Sequence, residues 1–418
     1  MLFFAAVFSA LSASAAWAGI DAASDGFGAS IRTVGVVTRN YRSDALFGPG
    51  NRGDGSSGTI LRLTDSRDAG FLKTEVHLVG SADWTDARTT GGFSGLSPVG
   101  GSDRYGSGGY LARGESGDWQ GRLRLDRLNA RLAMPFADLT LGKQAITFGQ
   151  AYFWNPLDVF SPFDARSFDR DYKPGVTAVR LDIPLGGFAG INLVHAGDGK
   201  RMTGMYRNYC RDEQALLARM FAGLGGWDIS IQGGRIYGGS QLGAGVAGEL
   251  LGLEVRGESA WFWSRRRDFM PSIPGIRLID DSFTGVAGLG RKVSEKVTVE
   301  AEYLYNGSGL PGNLDAAAIR MATGNTLHMG RHLAGGTVSW EALPLLSTRF
   351  AVIRSFSDGS SVFQPGLVLS VSDETELVAG AVFNLGRRPG MDGYGMPFLR
   401  SEFGSNPDGI YAEFKAYF

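Results

Sequence analysis

The chain has 418 residues, with 41 Lys and Arg against 42 Asp and Glu, a formal net charge of −1, four His and one Cys. That balance argues against nucleic acid as a partner, and a lone Cys210 excludes an internal disulfide. The histidines are scattered and no cofactor motif is present, so neither a metal nor a cofactor is expected.

Residues 1–18, MLFFAAVFSALSASAAWA, are an apolar run followed by small residues and an Ala16-Trp17-Ala18 end. This is the pattern of a secretory signal peptide, although no Lys or Arg precedes Arg32. Residues 19–418 show no linker or composition break and read as one unit. No apolar run of 18 or more residues follows Ala18, so no spanning helix is expected.

From residue 27 onward the dominant pattern has period two, the signature of strands whose alternate side chains face opposite sides. In 252–263, Leu253, Val255, Trp261 and Trp263 share one face, and Glu254, Arg256 and Glu258 share the other. In 296–305, Val297, Val299, Ala301, Tyr303 and Tyr305 oppose Glu300 and Glu302. Such segments fall near 27–40, 58–66, 71–84, 119–133, 136–148, 176–184, 187–197, 212–224, 226–237, 241–250, 252–264, 281–291, 296–308, 329–342, 346–356, 361–372, 375–387 and 408–418.

A soluble sandwich would alternate in the same way, but three features favour a membrane barrel. The segments have the length of tilted membrane strands. Aromatic residues such as Trp84, Trp119, Trp227 and Trp261 gather at segment ends, as interfacial girdles do. Short turns at 134–135, 186–187, 225–226 and 344 alternate with long links near 41–56, 85–117, 149–175, 198–210, 265–280, 309–327 and 389–406. The fold expected is all-β, a transmembrane antiparallel β-barrel of about 18 strands, with 16 as the alternative.

In 122–133, RLRLDRLNARLA, Arg122, Arg124 and Asp126 share a face, but beyond them Arg127, Asn129 and Arg131 take it over. The slip predicts a β-bulge near Asp126-Arg127. A lipid-facing arginine costs about 2–4 kcal/mol at mid-depth. Arg62, Arg122, Arg124, Arg127, Arg131, Lys143 and Arg180 are therefore expected to form a basic wall inside the barrel. Cation rings favour anions. Glu254/Glu258 and Glu300/Glu302 put the opposite sign across the lumen, and mutual neutralisation is the plainer reading of the same charges.

The link AYFWNPLDVFSPFDARSFDRDYKPG, 151–175, mixes seven aromatic residues, seven charged ones and three prolines. Exposed rings are unfavourable on an aqueous loop. Folded into the lumen as a third outer loop, 149–175 would bury its rings and narrow the pore. Trp154, Asp158, Phe160, Asp164, Arg166, Asp169, Arg170 and Asp171 are the candidate constriction residues. A lid on the rim and a partner-binding surface are the alternatives.

The stretch around this link resembles bacterial outer-membrane porins. In particular, Gly142-Lys143-Gln144, Ile146, Phe148-Gly149, then Asn155-Pro156, Asp158, Phe160, Pro162 and Lys173-Pro174-Gly175 resemble a recurrent element of uncharacterised proteobacterial porin-like proteins. The last strand, GIYAEFKAYF, ends in Phe418 and resembles the signal by which outer-membrane barrels reach their assembly machinery, with Ala416 where that signal usually has an aromatic. The resemblance implies the outer membrane of a Gram-negative bacterium, contact with its lipid and lipopolysaccharide, and a possible homotrimer. The expected function is passive diffusion of small hydrophilic solutes, anionic or zwitterionic, without a chemical step. No catalytic set is recognisable, so an enzyme is not expected. The rival reading is a barrel that sheathes a periplasmic electron-transfer or export partner, which requires a lumen clear of inward loops.

Overall fold

The computed structural model describes residues 26–39, 53–85, 110–160, 172–197, 214–265, 270, 275–322 and 324–418. The expected leader at 1–18 lies outside them. The strands are β1 (Phe27–Arg39), β2 (Gly53–Asp68), β3 (Leu72–Thr85), β4 (Tyr110–Ser116), β5 (Trp119–Ala133), β6 (Asp138–Gln144) and β7 (Val176–Gly186). They continue as β8 (Ala189–Ala196), β9 (Ala215–Leu224), β10 (Trp227–Ile236), β11 (Gly239–Leu250), β12 (Leu253–Ser264), β13 (Ser282–Ser294) and β14 (Val297–Asn306). The last are β15 (His332–Leu343), β16 (Leu346–Ser355), β17 (Ser361–Ser372), β18 (Thr375–Leu385), β19 (Gly390–Met391), β20 (Pro397–Phe398) and β21 (Asp408–Tyr417). Among the described residues an α-helix, α1 (Leu314–Ala322), precedes β15, and a 3-10 turn spans Phe403–Ser405.

Among the described residues, 18 of these strands form a closed antiparallel barrel. Closure is made by β1 against β21, from Ser30 opposite Tyr417 to Arg39 opposite Asp408. Closure joins the first barrel strand to the last, as a lipid-facing sheet requires. Residues such as Leu216, Met220, Ile229, Ile231, Leu242 and Val246 alternate outward and are exposed on the outer surface. An outer-face aromatic series runs from Trp263 through Trp261, Phe283 and Tyr305 to His332, with successive ring centroids 5.3–6.2 Å apart.

The bulge expected in β5 is present. His77 pairs with Arg127 and Leu78 with Leu125, so Asp126 is the extra residue. The short β19–β20 pair, β4 and α1 were not foreseen. β4 lies in the link expected to be polar, and pairs with β5 from Ser116–Trp119 to Tyr110–Arg124. It is needed because β6 stops at Gln144 and pairs only with Leu128–Ala133 of β5, leaving the other half of that edge without a partner. The helix α1 sits in the link between β14 and β15, where the Asn313 side chain accepts the N–H of Ala316 at 3.0 Å as an N-cap. It packs Leu314, Ala317 and Ala318 on Met329 and Leu399, joining two links into a cap at the loop end.

The segment expected to run as a strand over 136–148 breaks early for a local reason. Gly142 has φ +111°, and a Cβ there would meet the Leu128 carbonyl. The Gln144 amide then donates to the Thr140 and Ala178 carbonyls, closing the strand end, and the chain leaves the wall for the lumen.

Candidate functional site

The described part of the link between β6 and β7 lies inside the barrel, and two wall carboxylates hold it there. Glu258 of β12 accepts the main-chain N–H groups of Gln150, Ala151 (3.1 Å) and Leu157 (3.3 Å). Glu302 of β14 accepts those of Tyr152, Phe153 (2.7 Å) and Trp154 (3.3 Å). From β10 and β11, Gln232 and Gln241 donate to the carbonyls of Leu157 (2.9 Å) and Pro156 (3.2 Å). The loop's backbone polar groups are thus paired with the wall in place of water.

The rings bury themselves against apolar residues at lumenal positions. Phe153 and Trp154 pack with Leu304, Leu333, Ile353 and Val382, and Phe148 and Phe160 with Val176, Val194 and Leu217. Glycines make the room. A Cβ on Gly243 would stand 2.5 Å from Leu157 Cδ2, and one on Gly335 would stand 2.9 Å from the Phe153 ring. The recurrent motif acquires a structural account here: Asp158 of its first half accepts the ammonium of Lys173 in its second half, and both are buried. Burial pushes Lys173 below the usual lysine range, with Asp158 opposing the shift. Gly175 approaches the Asp126 carbonyl too closely for any side chain.

Among the constriction residues expected from sequence, Trp154, Asp158 and Phe160 are inside the barrel and buried. Asp164, Arg166, Asp169, Arg170 and Asp171 lie outside the described residues.

The arginines expected inward mostly share one wall, but each is matched by an acid. Arg62 lies 2.7 Å from Asp126, with its guanidinium 4.1 Å from the Tyr172 ring centroid. Arg124 is 3.7 Å from Asp126, Arg122 2.5 Å from Asp83, and Arg127 2.8 Å from Glu75. Arg131 pairs with Asp138, and Arg180 lies 2.8 Å from Asp182. Lys143 departs from the expectation. Its register partners Leu128 and Thr177 face outward, and its ammonium turns to the Leu125 carbonyl at 2.8 Å, where β6 has ended. The foreseen acidic side is divided: Glu258 and Glu302 hold the loop, whereas Glu254 and Glu300 flank Arg256.

The sequence reading missed the clamp itself. The available signal was small residues at inward positions, Gly243, Gly245, Gly288 and Gly335, beside inward glutamates. It also missed Arg32, whose Nε donates to Glu413 at 2.9 Å, and the contact of Trp154 with His328. On the turn side of the loop a cavity of about 550 Å³ is lined by Gln150, Asp182, Asn192, Arg219, Phe221 and Asp228 among others. Arg219 is stacked there, 5.4 Å from the Phe148 and 5.0 Å from the Phe221 ring centroid.

A closed barrel of eighteen strands with a loop pinned inside it is a porin-like fold. No protein-family model and no curated sequence matches the chain. Solved structures do. OccK11 (OpdR) of Pseudomonas aeruginosa is 12% identical with a TM-score of 0.53, covering 94% of this chain and 96% of that one. The outer membrane protein opdK of Pseudomonas aeruginosa is 9% identical, with a TM-score of 0.53 over 94% and 98%. OccAB2 of Acinetobacter baumannii is 10% identical, with a TM-score of 0.52 over 94% and 98%. At these identities the likeness is one of fold.

Proposed function

We propose that this chain is a diffusion channel of the outer membrane of a Gram-negative bacterium, passing small hydrophilic solutes that carry an anionic or zwitterionic group. The observation that carries the reading is the loop 150–158, held across the lumen by Glu258 and Glu302. A segment so placed narrows a passage without blocking assembly of the barrel. Beside it stands a wall of guanidinium–carboxylate pairs. Such pairs present both signs a few ångströms apart and favour a zwitterion over a simple ion, since each of its ends finds a partner. The porin-like fold and the Gly142–Gly175 element support the same reading. Assembly through the strand ending at Phe418, and contact with lipopolysaccharide at the loop end, belong to it.

The sheath alternative needs an unobstructed lumen, and the clamped loop counts against it. The test is single-channel conductance of the purified protein in planar bilayers, with the reversal potential in a salt gradient. Steady channels blocked by zwitterionic solutes are the expected result. A barrel that conducts nothing until 150–158 is removed would overturn the reading in favour of a plug.

A further inference from the structure

The loop has one more tie, reaching to the loop-end cap instead of the wall. The Trp154 indole Nε1 donates to His328 Nε2 at 2.8 Å, and His328 Nδ1 lies 2.5 Å from Glu402 Oε1. The three residues are only 3%, 4% and 3% exposed, so water does not replace a lost partner there. An indole N–H is a donor only. His328 Nε2 must therefore present a lone pair, and the ring's single proton sits on Nδ1, donated to Glu402. The tie works only with a neutral imidazole. His328 belongs to the link before β15 and Glu402 to the link before β21, so the contact joins the narrowing loop to two separate parts of the cap.

We infer that His328 is a positioning residue for the narrowing loop, a proton-operated tie between Trp154 and the cap. A proton on Nε2 removes the acceptor and sets N–H against N–H. The charged groups around the imidazole set the outcome of that protonation. Glu402 faces Nδ1, and its own N–H donates to Asp358 at 2.6 Å. Glu302 lies below, on the Trp154 main chain. Arg331 is turned to the Gly309 carbonyl at 3.4 Å, and Arg349 to the Tyr152 ring, 5.4 Å from its centroid. The groups in contact with the relay are carboxylates, so a protonated His328 keeps Glu402 as an ion-pair partner while Trp154 is released. Burial works against charge on Glu402, but once His328 is protonated its charge, together with the N–H groups of Met329 and Gly330, outweighs that and holds the carboxyl below its ordinary range. Acid therefore uncouples the loop without dissolving the cap. Coupling is reciprocal, so a ligand that displaces the cap also frees Trp154.

The inference rests on the channel reading for its electrical test, and a second test is independent of conduction. Full-length protein in planar bilayers is recorded as the bath is acidified from about pH 8 to about pH 5. Wild type should pass from a quiet level to flicker, with dwell time in the main level falling about ten-fold, as loss of one buried hydrogen bond implies. His328→Gln can accept from Trp154 and donate to Glu402 without titrating, and should stay quiet throughout. Trp154→Phe should flicker at every pH. The same acid flicker in His328→Gln would overturn the proposal. In micelles, the Trp154 indole N–H resonance, assigned by its loss in Trp154→Phe, should shift on acidification in wild type and hold still in His328→Gln. A resonance that does not move in wild type also overturns it. A resonance that titrates in a protein that conducts nothing would remove the channel reading and leave the tie standing.

Discussion

A buried carboxylate that accepts three main-chain N–H groups cannot be copied by an amide, which brings one oxygen and a competing donor. Glu302→Gln should therefore loosen 152–154 by about 1.5–3 kcal/mol, the range for hydrogen bonds to a charged group. The readouts are raised conductance and protease cleavage within 150–158. Unchanged conductance with full protection would mean that Glu302 is a bystander. Asp158 and Lys173 make a different case, because each is buried at the other's expense. Asp158→Asn removes the carboxylate that lies against the buried Lys173 ammonium, at a cost of about 3–5 kcal/mol. It should lower the temperature at which the folded band is lost on unheated gels. Replacing both residues, Asp158→Asn with Lys173→Met, should restore most of that temperature, since the desolvated charge has gone. If the double variant is no better than the single, the pair is not the cause.

At the scale of elements, the loop and the wall are shaped for each other. The wall supplies glycines where the loop supplies rings, and a side chain returned to the wall should expel the loop. Gly335→Leu places branched carbon where Phe153 and Trp154 now lie, and overpacking of this kind costs about 1–3 kcal/mol. The barrel's own pairing across β14, β15 and β16 does not depend on the loop. The variant should still fold, and its channels should be wider and noisier. A variant indistinguishable from wild type in conductance would show that the rings settle elsewhere in the lumen. The short β6 belongs to the same design. By ending at Gln144 it releases the chain inward, and β4 takes over the edge that this leaves on β5.

At the scale of the molecule, the described lumenal arginines lie beside carboxylates, so selectivity should be weak and easily tipped. Asp126 is shared by Arg62 and Arg124. Asp126→Asn leaves two guanidinium groups with one fewer counter-charge, and the reversal potential should move towards anion preference. Arg62→Gln with Arg124→Gln leaves the carboxylate and should move it towards cations. Shifts of the same sign in both variants would place this wall outside the conducting path.

The periodicity of the strands, the alternation of turns and long links, and the bulge at Asp126 are local properties. A strand's faces alternate whatever it pairs with, and lipid demands an unbroken apolar face, so these features are written in consecutive residues. The inward placement of Trp154, Asp158 and Phe160 was legible for a related reason, since rings and charges in one link call for two environments. The clamp was not legible. Glu258 and Glu302 lie more than a hundred residues from the amides they hold, and on their own strands they look like any lumenal polar residues. Neutralisation of the wall was foreseen as a reading, but its particular pairs were not, because Asp83 and Glu75 meet Arg122 and Arg127 only through register between β3 and β5, and Asp126 meets Arg62 across the intervening β3. The face of Lys143 follows the alternation of β6, which sets Leu141 outward and Thr140 and Gln144 inward. Consecutive residues thus suffice to define a lipid-facing barrel with one anomalous loop. The groups that hold that loop, and the ion pairs that cross from strand to strand, emerge only when the folded sheet brings distant residues together.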